Sequence, residues 1–258
     1  MQGGLSNQLV ALSHAAAWAL VLNRTLVLPH LLPHQDIRAS SGGNAPLSYA
    51  GQPASLVLSE LLPFDSVFAP KTVAGLRTIS ISQLMRRGVR PDSMVQLPEI
   101  EATMHMKSSS TYFDALGWQG LRRQPVELKQ VVQGCNAVSS CQKLLAPMLV
   151  RRTFGGCKQQ VLAFESLFST IRLHSNWSYC YDDDGSAGAR GRQCWPLHDF
   201  LSSVALPSLL TPQPHLQATA ARAARRVVAR APAGARELGC MQACSSTYAR
   251  ACHFVFAY

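Results

Sequence analysis

Charged side chains are scarce in this chain: Asp, Glu, Lys and Arg make up 15% of its 258 residues, against ~25% in an ordinary soluble domain. With hydrophobic residues at 47%, that scarcity excludes intrinsic disorder and implies helices covered on several sides. Long apolar runs are missing too. The best stretch, Leu9 to Leu28, is broken by His14, Asn23 and Arg24, so no membrane span of ~18 residues is expected. Met1 to Gln8 carries no positive charge and does not read as a signal peptide. Aromatics amount to 7% and never interleave with a basic block, which argues against a dedicated nucleic-acid surface. The first 134 residues have no cysteine, and no pair anywhere has C-x-x-C spacing, which excludes a zinc ribbon or a thioredoxin-like motif. Neither a G-x-S-x-G elbow nor H-E-x-x-H occurs.

What is there is basic. Net charge is +10, with 19 Arg against 5 Lys, a balance that favours anionic partners. The cysteines all lie at or after Cys135. Cys180 and Cys194 bracket a polar loop around Asp182-Asp183-Asp184-Gly185 that a disulfide could close. Asn23-Arg24-Thr25 and Asn176-Trp177-Ser178 are glycosylation sequons. Together with the eight cysteines, they favour an oxidising lumen.

Gly3-Gly4-Leu5-Ser6-Asn7-Gln8 reads as a tight loop feeding a helix over Leu9 to Leu22. Only Ser13 and His14 are polar in that helix, so it should be buried on most sides. Asn23-Arg24 breaks it, and Thr25 to Pro29 reads as a short buried strand. Glycine loop, helix and strand form the latter part of a βαβ unit, which implies a strand before Gly3 and a chain that starts late. Further on, helical material is expected over Leu56 to Phe68, a strand over Leu76 to Ile81, and a helix from Ser82 to Arg87. Met94 to Leu97 and Val161 to Phe164 read as strands, Val126 to Val132 and Ser140 to Arg151 as helices. Residues 177–193 read as a loop insertion. Pro214 to Ala231 reads as a helix with Leu216, Ala220, Ala223, Val227 and Ala231 on one stripe and Arg222, Arg225 and Arg226 opposite. Gly239 to Cys252 shows no periodicity, and His253 to Tyr258 has strand composition; 239–258 is a tail of unassigned structure. The elements together predict an α/β, Rossmann-like three-layer domain.

The wording of the opening, Gly-Gly-Leu-Ser-Asn-Gln, a small-residue helix and then Leu22-Asn23-Arg24-Thr25-Leu26-Val27-Leu28-Pro29, closely resembles the start of the GDP-fucose protein O-fucosyltransferase family. The match covers Gln2 to about Leu32, and Leu62 to Phe68 is a weaker echo of a following segment. Bacterial and plant α-1,2-fucosyltransferases share the GGxxNQ loop, so fucosyl transfer is better supported than any one acceptor. The resemblance implies a GT-B arrangement with GDP-fucose between two Rossmann-like halves, inverting transfer to a protein or glycan hydroxyl, and no cofactor or obligatory metal. It implies a place in the Golgi or endoplasmic reticulum, and no nucleic-acid partner. It puts Gly3, Gly4, Leu5, Ser6 and Asn7 at the donor and acceptor cleft. The family's His-x-Arg motif, which stabilises the departing pyrophosphate, is absent from this chain. The expectation is therefore an incomplete N-terminal half, 1–258, without activity on its own.

Other candidates carry bland alternatives. Asp182-Asp183-Asp184 has the look of a cation clamp or of an ordinary acidic loop. Glu165 is a base at a strand end or a helix-starting carboxylate. His14 reads as a satisfied core histidine. His30 and His34 follow a strand at the end where α/β folds place ligands, or are plain loop histidines. Two further readings of the whole stand beside the enzyme: a non-catalytic Rossmann-like remnant, and a basic module for nucleic acid or acidic glycan, which added salt would weaken.

Overall fold

The structure is a computed structural model that describes residues 5–31, 61–73, 75–97, 111–128, 131–135, 141–164, 167, 172–173, 178–182 and 192–230. The chain divides into two compact units, residues 1–211 and 212–258.

The first unit opens with α1, Leu5–Leu22. Leucine and alanine hold it in a helix, and Ser13 donates its hydroxyl back to the Val10 carbonyl at 2.7 Å. Its end is set by Asn23, the one non-glycine residue with positive φ (51°) among the described residues. The N–H of Asn23 reaches the Leu20 carbonyl at 3.2 Å and that of Arg24 the Ala19 carbonyl at 2.9 Å. That is the paired bonding of a Schellman end, in which asparagine tolerates the left-handed turn. β1, Leu26–Leu28, follows at once.

α2, Phe64–Val67, precedes β2, Thr78–Ser80, and α3, Ile81–Arg86. Ser80 and Gln83 close a reciprocal capping box at the start of α3. β1 and β2 pair in parallel, Leu26 opposite Thr78. β3, Ser93–Gln96, α4, Thr111–Ala115, and β4, Arg122–Pro125, come next. β5, Val131–Cys135, and β6, Cys141–Leu145, are antiparallel, with Cys135 opposite Cys141 in register. Then come α5, Pro147–Phe154, β7, Ala163–Phe164, and β8, Arg172–Leu173. β3 is the centre of a parallel sheet ordered β4-β3-β7, and β6 pairs with β8 in parallel.

β9, Ser178–Asp182, and β10, Arg192–Pro196, form a hairpin. Cys180 and Cys194 face each other across it, 4.1 Å between Cα atoms, and are joined by a disulfide. The stretch expected to be an insertion loop, 177–193, is therefore strand at both ends. The hairpin is fixed to the core by Tyr179, whose ring lies 4.8 Å from that of Phe200. The Tyr179 hydroxyl occupies the space that a Cβ at Gly75 (φ 74°) would need. α6, Leu197–Phe200, a π-helical turn, Leu201–Ala205, and α7, Leu206–Leu209, complete the unit.

The core gathers round α1. Ala16 to Val21 are all buried, and Trp18 packs against Phe154 at 5.8 Å and edge-on to Phe164 at 5.1 Å. Leu26 and Leu28 of β1 join this cluster, whereas Val27 and Ile79 join a second one with Ile81, Leu84, Tyr112 and Trp118. Alternate residues of β1 thus serve opposite faces, with α1 on one and α3 and α4 on the other. The architecture is α/β, with helices among small, largely parallel sheets.

Three expectations need correction. Residues 126–132 contain no helix among those described, because Val131 opens β5, and Ser140 to Arg151 is split between β6 and α5. Valines and leucines there pair in a sheet rather than following a helical stripe. The Leu9–Leu22 helix begins four residues earlier, at Leu5. Of the second unit the structure describes residues 212–230, chiefly α8, Pro214–Arg230. From Pro214 to Arg225 every residue of α8 is exposed except the half-buried Ala220. Residues 231–258, with the tail expected at 239–258, lie outside the described residues.

Candidate functional site

Gly3 and Gly4, the glycines of the expected binding loop, lie outside the described residues. Leu5, Ser6 and Asn7 form the first turn of α1 instead of a loop, and Leu5 is exposed. Backbone N–H groups in that turn have no partner within the helix, and the helix dipole adds positive potential there. The tight turn at Asn23 folds β1 back onto α1, with Leu26 and Leu28 in the same core cluster as Leu12 and Ala16 to Val21.

At the carboxyl end of β1 stands His30. Its backbone N–H donates to the Tyr112 hydroxyl at 3.0 Å, and its Nε2 lies 3.5 Å from Ser82 Oγ. Nδ1 is buried and, among the described residues, has no hydrogen-bond partner. Burial pulls the imidazole pKa below its ordinary value, against an opposing pull from Asp65. Burial also pushes the Tyr112 phenol well above its ordinary value, despite the hydrogen bond it accepts from His30. At neutral pH both groups are uncharged: the imidazole has Nε2 near the Ser82 hydroxyl and Nδ1 unused. Such a group is able to accept a proton from a hydroxyl. The sequence pointed to His30 from its place after a strand. Ser82 and Tyr112 escaped it because they come 52 and 82 residues later.

The remaining candidates disperse. His14 donates Nδ1–H to the Leu167 carbonyl at 2.7 Å, a satisfied core histidine far along α1 from its first turn. His34, Glu165, Asp183, Asp184 and the sequon residue Asn176 lie outside the described residues. Asp182 ends β9. Among the described residues no group of three or more His, Cys, Asp or Glu could hold a metal ion, and no helix is long and apolar enough to cross a membrane. Asn23 and Thr25 of the other sequon are both exposed, and the Asn23 carbonyl accepts from Arg77 at 2.8 Å.

A cavity of ≈ 590 Å³ lies among α1, β1, β2, α3, α4 and β7. Most of its wall is apolar, including Leu12, Ala15, Val27, Ile79, Leu162 and Phe164. Arginines line it near the start of β1, but they are engaged. Arg24 donates to the Gln159 carbonyl at 2.9 Å and to that of Cys157, and Arg77 donates to Asn23 as above. No family model, curated protein or solved structure matches the chain.

Proposed function

We propose that residues 1–211 are the N-terminal, Rossmann-like half of a GT-B fucosyltransferase of the protein O-fucosyltransferase type. In this reading the first turn of α1 and His30 face GDP-fucose and a protein or glycan acceptor. The observation that carries it is the α1–β1 unit. The residues that resemble the family form a helix from Leu5, a Schellman turn at Asn23-Arg24 and a short strand paired in parallel. A nucleotide-sugar loop at the head of such a helix has free N–H groups for the pyrophosphate. The transfer is a single displacement: the acceptor oxygen attacks the sugar C1, GDP leaves, and the acceptor proton passes to a base. The imidazole of His30, half-buried at the carboxyl end of β1, is our choice for that base. N–H groups at the head of α1 would meet part of the charge on the departing GDP. No metal enters this scheme. The Cys180–Cys194 disulfide supports a place in the secretory lumen.

The test is GDP-fucose binding by calorimetry, with Asn7→Ala beside the parent. Asn7→Ala should weaken binding at least tenfold while stability, read from the urea midpoint, changes by no more than about 0.7 kcal/mol, the span of helix propensity among ordinary residues. A parent chain that binds no GDP-fucose at millimolar concentration, or a variant that loses stability and keeps affinity, overturns the reading.

A further inference from the structure

The wall of the ≈ 590 Å³ cavity is buried in one part and open in another. Leu12, Trp18 and Ala19 of α1, Leu84 of α3 and Ala163 of β7 line it and are buried. Asn23, Thr25 and Arg77 line it and are exposed, so the cavity meets solvent at the amino end of β1. The Leu26 N–H donates to the Arg77 carbonyl at 2.8 Å, which sets Arg77 beside Thr25 at that mouth. Among the described residues the lining includes three arginines, Arg24, Arg77 and Arg87, and no Asp or Glu. The bonds made by Arg24 and Arg77 go to backbone carbonyls. A carbonyl holds a guanidinium in place without neutralising it. Each guanidinium has five N–H donors, so both arginines keep their charge and further donors for a ligand.

We infer that this cavity binds an amphiphile with a single anionic head, of the fatty-acid class. The carboxylate meets Arg77 at the mouth, and the acyl chain lies among the apolar walls. Size agrees: ≈ 590 Å³ falls within the ~300–1,000 Å³ of small-molecule sites. Chemistry narrows the class. A compact anion such as phosphate would leave most of the apolar volume empty. A nucleotide or sugar would strand its polar groups against Leu12, Val27, Ile79 and Leu162 without hydrogen bonds. A neutral lipid gains nothing from the arginines, and a cationic one is repelled by them. Only a ligand with an apolar body and a negative end uses both parts of the wall. The inference does not use the donor assignment, so a protein that binds no GDP-fucose can still satisfy it.

The experiment titrates the full chain by calorimetry with octanoate, decanoate and dodecanoate, each below the concentration at which it forms micelles. Decanol and decyltrimethylammonium serve as neutral and cationic probes of the same chain length. Affinity should rise roughly fourfold for each added methylene, the gain from burying one CH₂. Decanoate should bind at least tenfold more tightly than decanol, and the ammonium more weakly than either. Arg77→Gln, at an exposed position, should weaken decanoate about tenfold, as loss of a charged hydrogen bond does, and leave decanol unchanged. Ala15→Trp, which fills the cavity from α1, should weaken decanoate and decanol alike. Where circular dichroism shows that Ala15→Trp does not fold, Arg77→Gln decides alone. No binding of decanoate, affinity independent of chain length, equal affinity for decanoate and the ammonium, or decanoate affinity untouched by Arg77→Gln overturns the proposal.

Discussion

α1 and α8 are nearly equal in length, 18 and 17 residues, and opposite in setting. α1 carries no charged side chain, and from Ala16 to Val21 every residue is buried. α8 contains four arginines, one of them its last residue, and its residues from Pro214 to Arg225 are exposed but for the half-buried Ala220. A helix like α1 owes its existence to what covers it, whereas one like α8 depends on alanine propensity and short-range bonds. One such bond joins Arg222 to the Thr219 hydroxyl at 3.0 Å. Length and helical content are the same in both; the distribution of charge decides which one is core.

The contrast is broken most severely at Trp18. Trp18→Ala removes the ring between Phe154 and Phe164 and should cost about 3–5 kcal/mol, read from the urea midpoint. Next comes the end of α1. Asn23→Ala places an alanine at φ 51° and should cost about 1–2 kcal/mol, while Asn23→Gly should restore the parent stability. Acid probes the neighbouring strand end more gently. The folded pKa of His30 lies below its ordinary 6.5, so the unfolded chain binds the proton more readily. Stability is therefore complete above about pH 6.5 and falls as pH drops below it, levelling off under the folded pKa. Thermal unfolding of His30→Gln between pH 7.5 and 5 should show a shallower decline than the parent. The smallest effect belongs to α8: Leu216→Ala, at 37% exposure, should stay within about 0.5 kcal/mol. A loss there comparable with that of Trp18→Ala would mean that α8 is covered in solution and would end the contrast.

The elements legible in the sequence are those where pattern and burial coincide. α1, β1, β2, α3, β3, β7 and α8 lie where apolar runs or stripes put them. β4, with the residues Arg-Arg-Gln-Pro, is exposed throughout. It is an edge strand, where arginine and proline are tolerated, so its composition carries no strand signal. The helical run from Leu197 to Leu209 follows Pro196 and contains Pro207, residues that ordinarily end or break a helix. Pro196 takes the N-cap position, and Pro207 follows a π-helical turn that widens the bonding where the ring removes an N–H. Of the candidate site, His30 was visible from its position after a strand, whereas its neighbours Ser82 and Tyr112 depend on tertiary folding. The glycine loop was legible as a motif, but Leu5 to Asn7 were read as loop because Ser and Asn signal turns as readily as first helical turns.

The hairpin disulfide has a consequence for the wholeness of the chain. Cys180 and Cys194 stand 14 residues apart, and the span between them contains Arg190 and Arg192, both cleavage points for a trypsin-like protease. A cut at either would leave two polypeptides still joined through sulfur, with Tyr179 on one and Phe200 on the other. Such a nicked protein would migrate as a single species without reductant and as two with it.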